Sequence, residues 1–163
     1  MEKRFSGCEI AEMGIHIEEN GRDFYNSLDG KSENWPVKRI FRYLADEETK
    51  HIDVFKQIFD SQCEREPRES YPEEYFSYMK ALAGDYVFTR KNKGSEMAKG
   101  IKKCMDALNA GIGFEKESIT FYEGMKRIVS GKSKTLVERL IGEEQKHLER
   151  LSDMKKEMEK AEA

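Results

Sequence analysis

Two stretches of the chain, "DEETKHIDVF" (46–55) and "GEEQKHLERL" (142–151), each set Glu-x-x-His into a run that otherwise reads as the apolar stripe of a helix. Steps of three and four between apolar residues mark one helix face, and four segments have that spacing. The first holds Ile10, Gly14, Ile17, Gly21, Phe24 and Leu28, with Glu18 and Tyr25 each one position after a member of the stripe. The second holds Val37, Phe41, Leu44, Glu48, His51, Phe55 and Ile58. The third holds Ile101, Met105, Leu108, Ile112, Glu115, Ile119 and Tyr122, and the fourth Val137, Leu140, Glu144, His147, Leu151, Met154 and Met158.

The four helices fall into two related halves. "GIHIEENGRDFY" (14–25) aligns with "GIGFEKESITFY" (111–122), and the two Glu-x-x-His stretches align with each other. The chain therefore reads as a duplicated helical hairpin, and two copies about a pseudo-twofold make an all-α four-helix bundle. Hairpin 1 is expected over about 7–60, a crossover over about 61–98 and hairpin 2 over about 99–160, in one domain covering 1–163. "LDGKSENWPV" breaks the first pair, with Gly30 as a helix stop and Pro36 at a first helical position. "VSGKSKTL" breaks the second; both contain Gly-Lys-Ser, but neither has the earlier Gly of a phosphate-binding loop. In the crossover, Tyr71, Tyr75, Tyr78 and Leu82 suggest a short helix packed over a bundle edge or at a dimer contact. Such a crossover lets the second hairpin run parallel to the first.

Charge narrows the partners. A net charge of −3, from 29 basic and 32 acidic residues, gives no general pull toward nucleic acid or an anionic membrane. The most basic stretch, "TRKNKGSEMAKGIKK" (89–103), is read as a solvated loop entering a helix. No apolar run reaches the ~18 residues of a membrane span, and "MEKRFSGCEIAEMG" lacks a signal-peptide core. A cytoplasmic location is expected. The three cysteines, Cys8, Cys63 and Cys104, are odd in number and far apart. They are read as small buried or half-buried thiols in a reducing compartment, with no disulfide framework and no sulfur metal site.

Carboxylates on an apolar stripe need a reason. Glu18 matches Glu115 between the halves, Glu48 matches Glu144, and His51 matches His147. At i,i+3 each Glu and His project from one face, so a metal can take the imidazole while the Glu leans across as a bridge. Four buried carboxylates without a counter-charge would repel and resist burial. Two divalent cations neutralise four ionised Glu. An oxygen-rich set with one imidazole per metal suits iron or manganese better than zinc, and helical bundles build dinuclear centres this way. Glu47 and Glu143 stand four before the same histidines but off the stripe, and are read as solvated or as supporting residues behind the ligands. Tyr25 and Tyr122, seven after Glu18 and Glu115, are core aromatics, hydroxyls that orient a carboxylate ligand, or both. The competing reading of all six is a metal-free buried polar network.

These residues resemble the rubrerythrin group of the ferritin-like superfamily, in "IEENGRDFY", "ADEETKH", "FEKESITFY" and "GEEQKH". The resemblance implies a ferritin-like bundle holding two iron ions, with manganese possible, often as a homodimer. It implies an oxidoreductase that reacts with hydrogen peroxide or dioxygen, with Glu48 and Glu144 bridging and Glu18, His51, Glu115 and His147 completing the set. The rubredoxin-like iron site typical of the group has no counterpart here, so electrons would come from a separate donor such as a rubredoxin-like protein. Where the group places a further Glu after the third helix's ligand, this chain has Ser118, and the six ligands resemble ferroxidase-type centres. The alternative function is therefore iron binding with ferrous oxidation and no reductive cycle.

Overall fold

A computed structural model describes residues 7–64, 73–129 and 131–163. Six helices account for most of them: α1 (Gly7–Lys31), α2 (Trp35–Cys63), α3 (Glu73–Asp85), α4 (Gly94–Lys99), α5 (Cys104–Met125) and α6 (Lys132–Glu162). A single 3-10 turn, Val87–Thr89, follows α3. No strand occurs among the described residues, and no helix is long and apolar enough to cross a membrane.

The hairpins form where the turn chemistry asks for them. α1 runs one residue past Gly30, and α2 restarts with Asn34 as N-cap, its side chain accepting from the Val37 amide at 3.2 Å, with Pro36 in the first turn. Between α5 and α6, Gly131 takes φ 60, a left-handed conformation that favours glycine. α1 packs on α2 and α5 on α6; across the bundle α1 meets α5 and α2 meets α6. The stripes of α1, α2 and α6 are buried as expected from Ile10 to Leu28, Val37 to Ile58 and Val137 to Leu151.

The third helix differs. Its buried arc is Ala107, Leu108, Gly111, Phe114, Glu115, Ser118, Phe121, Tyr122 and Met125, while Ile112 and Ile119 are only half-buried and Ile101 precedes the helix. The cause is a second neighbour. α3 lies against α5, with Met79 over Gly124 and Tyr86 against Phe114, so the covered arc is wider than a two-sided stripe.

The crossover holds the expected short helix over a bundle edge, α3 against α5, but with a different set of contact residues. Tyr71 lies outside the described residues; Tyr75 donates its hydroxyl to the Gly124 carbonyl, Tyr78 is exposed, and Met79 and Ala83 supply the buried contacts of α3. The basic stretch keeps Arg90, Lys91, Lys99, Lys102 and Lys103 in solvent, as expected, but it also holds α4 and is anchored on α1. Thr89, Gly94 and Ala98 are buried against α1. Asn20, 1% exposed, donates to the carbonyls of Phe88 (2.8 Å) and Arg90 (2.5 Å) and accepts from the amides of Lys93 (2.8 Å) and Gly94 (3.0 Å). A Cβ on Gly94 would stand 2.0 Å from the Asn20 carbonyl oxygen, so only glycine permits this approach. Asn20→Ala strands two amides and two carbonyls, and is expected to lower stability by about 3 kcal/mol. Chemical denaturation checks this, and a change below about 0.5 kcal/mol, the range of an ordinary surface substitution, would contradict it.

The cysteine reading is overturned. Cys8 and Cys63 form a disulfide, their Cα atoms 4.9 Å apart, closing the open end of the α1–α2 hairpin. Both lie at the ends of α1 and α2 remote from the 32–34 turn, and the antiparallel packing of the two helices brings them side by side. Cys104 stays free and half-buried, its sulfur 3.5 Å from the Ser32 hydroxyl.

Candidate metal centre

Each bundle helix contributes to one buried cluster. Glu18 comes from α1, Glu48 and His51 from α2, Glu115 from α5, and Glu144 and His147 from α6; all six are at most 2% exposed. They form two overlapping groups of potential ligands, Glu18/Glu48/His51/Glu144 and Glu48/Glu115/Glu144/His147, with donor atoms in each group within 4.8 Å of one another. Glu48 and Glu144 belong to both.

The local geometry follows the pseudo-twofold. The imidazoles stack with centroids 5.4 Å apart, and both Nδ1 atoms face the carboxylates. Glu144 sends Oε1 to within 2.7 Å of His51 Nδ1 and Oε2 to within 2.9 Å of His147 Nδ1. Glu48 spans the same pair, at 3.2 Å from His51 and 3.6 Å from His147. Glu18 lies 3.4 Å from His51 Nδ1 alone, and Glu115 lies 3.8 Å from His147 Nδ1 alone. Two carboxylates thus straddle the centre and two are terminal, each terminal one beside one imidazole.

The tyrosines work across the halves. Tyr25 donates to Glu115 Oε1 at 2.5 Å and Tyr122 donates to Glu18 Oε1, so each hydroxyl holds the carboxylate of the other half rather than its own. Spacing along one helix could not reveal this, because the partner lies across the bundle. Glu143 takes the supporting role anticipated for it, but across the bundle, at His51 rather than at the histidine of its own helix. Half-buried, it accepts from His51 Nε2–H at 2.8 Å, which leaves Nδ1 free of a proton and turned to the carboxylate cluster. Glu47 lies within reach of both imidazoles but is paired with Lys50 at 2.5 Å.

The electrostatics are those of a site short of positive charge. Burial, then the charges of Glu144 and Glu18, raise Glu48 well above the ordinary carboxylate range. Burial, then Glu144 and Glu48, raise Glu115 likewise. Burial opposes ionisation of Glu144 too, but hydrogen bonds with His147 and His51 outweigh it and leave this carboxyl below the ordinary range. Burial disfavours charge on both imidazoles, yet the surrounding carboxylates win and raise His51 and His147. Four carboxylate oxygens, Glu18 Oε2, Glu48 Oε1, Glu115 Oε2 and Glu144 Oε1, are buried without an aligned hydrogen bond, although Glu144 Oε1 lies 2.7 Å from His51 Nδ1. Four carboxylates converging on two imidazole nitrogens, with one such oxygen on each, fit two divalent cations.

A pH dependence follows for the metal-free protein. Glu48, Glu115, His51 and His147 have folded values above their unfolded ones, so each contributes stability below its unfolded pKa that is lost as pH rises toward the folded value. For the two Glu the loss begins near ~4.3, and for the two His near ~6.5. Glu144 runs the other way, its contribution being lost only as pH falls below the carboxylate range. Thermal melts of metal-free protein should therefore fall from pH 5 toward pH 9, and metal binding should release protons and strengthen as pH rises. A flat melt profile with no proton release would contradict this charge balance.

Comparison with known proteins agrees with the architecture. The family model described as Rubrerythrin matches residues 9–155. The fold is that of a solved structure from Thermotoga maritima described as a ferritin-like diiron-carboxylate protein, at 24% identity and TM-score 0.68, covering 97% of this chain and 99% of that one. A search of curated proteins finds no match.

Proposed function

The chain belongs to the rubrerythrin family, and we propose that it is a non-haem di-iron oxidoreductase acting on hydrogen peroxide or dioxygen. The observation that carries this reading is the pair of buried ligand groups sharing Glu48 and Glu144, their donor atoms converging within 4.8 Å. Glu18 and His51 would hold one iron, Glu115 and His147 the other, and Glu48 and Glu144 would bridge. When bound, the metals supply one electron each and act as Lewis acids toward an O–O bond.

The chain's own residues do the rest. Glu143 fixes the His51 ring, and Tyr25 and Tyr122 fix the terminal carboxylates. Phe41 and Phe114 pack on the Tyr25 ring and Phe55 on the Tyr122 ring, fixing both phenols in place. Tyr122→Phe keeps the ring and removes the hydroxyl from Glu18; about a tenfold loss of metal affinity at one of two positions is expected, measurable by calorimetric titration. Unchanged affinity would mean that the phenol only packs.

Electrons would come from a separate donor, such as a rubredoxin-like protein, because no Cys-x-x-Cys pair occurs in these residues. A homodimer is the proposed working unit. Ser118, where the family resemblance anticipates another Glu, favours a second reading in which ferrous iron is oxidised without a reductive cycle. Stopped-flow oxidation of anaerobic protein carrying two ferrous ions per chain separates them. Faster reaction with peroxide supports a peroxidase-type role; equal or faster reaction with dioxygen supports the second reading. Failure to take up iron would overturn both.

A further inference from the structure

Two faces of the centre differ in chemistry. On the imidazole side, Glu47 pairs with Lys50 and Glu143 with Arg139, a charged surface with its signs balanced. On the α3–α5 side there is instead a cleft of about 200 Å³. Its walls are Leu82, Phe121 and the ring of Tyr86, and its rim carries Lys116, Glu117 and Thr120. Tyr86 is 6% exposed, and its hydroxyl shares a 2.8 Å hydrogen bond with the Ser118 hydroxyl and lies 3.3 Å from the Phe114 carbonyl, to which it donates. Ser118, 1% exposed, follows Glu115 by three residues and so lies on the same helix face, one turn along. Phe114 continues the contact inward: its ring packs where a Cβ on Gly21 would stand, and that point is 3.4 Å from Glu48 Cγ. The cleft thus meets Tyr86, whose hydroxyl bonds to Ser118, one helical turn from Glu115.

We propose that this cleft is the route by which hydrogen peroxide reaches the centre, and that Tyr86 and Ser118 are positioning residues at its inner end. The proposal rests on the di-iron reading above and makes it narrower. Each hydroxyl has one proton and acceptor lone pairs; with Tyr86 donating to the Phe114 carbonyl, Ser118 donates in their shared bond, and either proton can turn to an incoming molecule while the oxygens accept. That matches a small neutral molecule that both donates and accepts hydrogen bonds. Peroxide does both; dioxygen has no proton to donate and needs no polar path. Glu117, exposed on the rim, stays outside this line and does not replace the Glu missing at Ser118.

The test uses Tyr86→Phe, Thr120→Trp and Ser118→Cys, the last in a Cys104→Ser background. Thr120 is exposed on the rim, so the Trp fills the cleft without entering the core. Tyr86→Phe and Thr120→Trp should each lower the rate constant for oxidation by peroxide about tenfold, the scale of one hydrogen bond. The rate with dioxygen and the bound iron should stay within about twofold, since neither depends on that bond. Equal slowing with both oxidants, or none with peroxide, would overturn the proposal. A readout independent of iron is the labelling of Ser118→Cys by methyl methanethiosulfonate. Labelling should occur in the folded metal-free protein and slow about tenfold or more when Thr120→Trp blocks the cleft. Labelling indifferent to Thr120→Trp would overturn the route. Wild-type protein that takes up no iron would sink the di-iron reading instead, while the labelling still reports whether the cleft reaches Ser118.

Discussion

Glu48→Ala is expected to remove at least one of the two metal positions and to abolish most of the metal-dependent gain in melting temperature. Glu48 belongs to both ligand groups and reaches toward both imidazoles, so no single position keeps its full set without it. Metal at about a thousand times its dissociation constant stabilises a site by about 4 kcal/mol, and that contribution disappears with the site. The metal-free protein should respond with the opposite sign. There Glu48 is a fully buried carboxyl facing Glu144 and Glu18, and relief of their repulsion is expected to outweigh the loss of its 3.2 Å contact with His51 Nδ1. Metal analysis and melts with and without iron would check both signs, with Glu123→Ala on the surface as control. A variant that retains two ions per chain and the full gain would refute the bridging role.

The second large effect belongs to the disulfide. Cys8 and Cys63 close a loop of 55 residues, for which the chain-entropy relation gives about 4 kcal/mol. For a chain of this size that corresponds to roughly 12 °C in melting temperature. Cys63→Ser should produce such a drop, and a reducing agent should lower wild type by the same amount while leaving the variant unmoved. Equal melting of wild type and variant would mean that the bond contributes nothing. The site is not expected to be dismantled, because the staple ties the hairpin's open end while the ligands sit in mid-helix.

What the sequence could tell follows from the range over which its signals act. Helix periodicity is local, so Glu18, Glu48, His51, Glu115, Glu144 and His147 could be placed on inward faces one helix at a time, and duplication then paired them. Contacts between helices carry no such period. The Tyr25–Glu115 and Tyr122–Glu18 bonds, the grip of Glu143 on His51 and the Cys8–Cys63 bond all join residues whose proximity exists only once the bundle is assembled. The crossover misled for another reason. Its basic composition suggests solvent, but Asn20 satisfies its backbone groups from within α1 and draws it onto the bundle. Ile112 and Ile119 misplaced the face of α5 because a helix covered on two sides buries a wider arc than its apolar residues alone mark out.

The central claim is that six side chains hold two metal ions with Glu48 and Glu144 between them. Anomalous diffraction at the iron edge from iron-loaded crystals tests it most directly. The account predicts two peaks, one within bonding distance of His51 Nδ1 and Glu18, the other of His147 Nδ1 and Glu115, with both bridging carboxylates between them. A single peak, or peaks on the outer side of the imidazoles at Glu47 and Glu143, would contradict it.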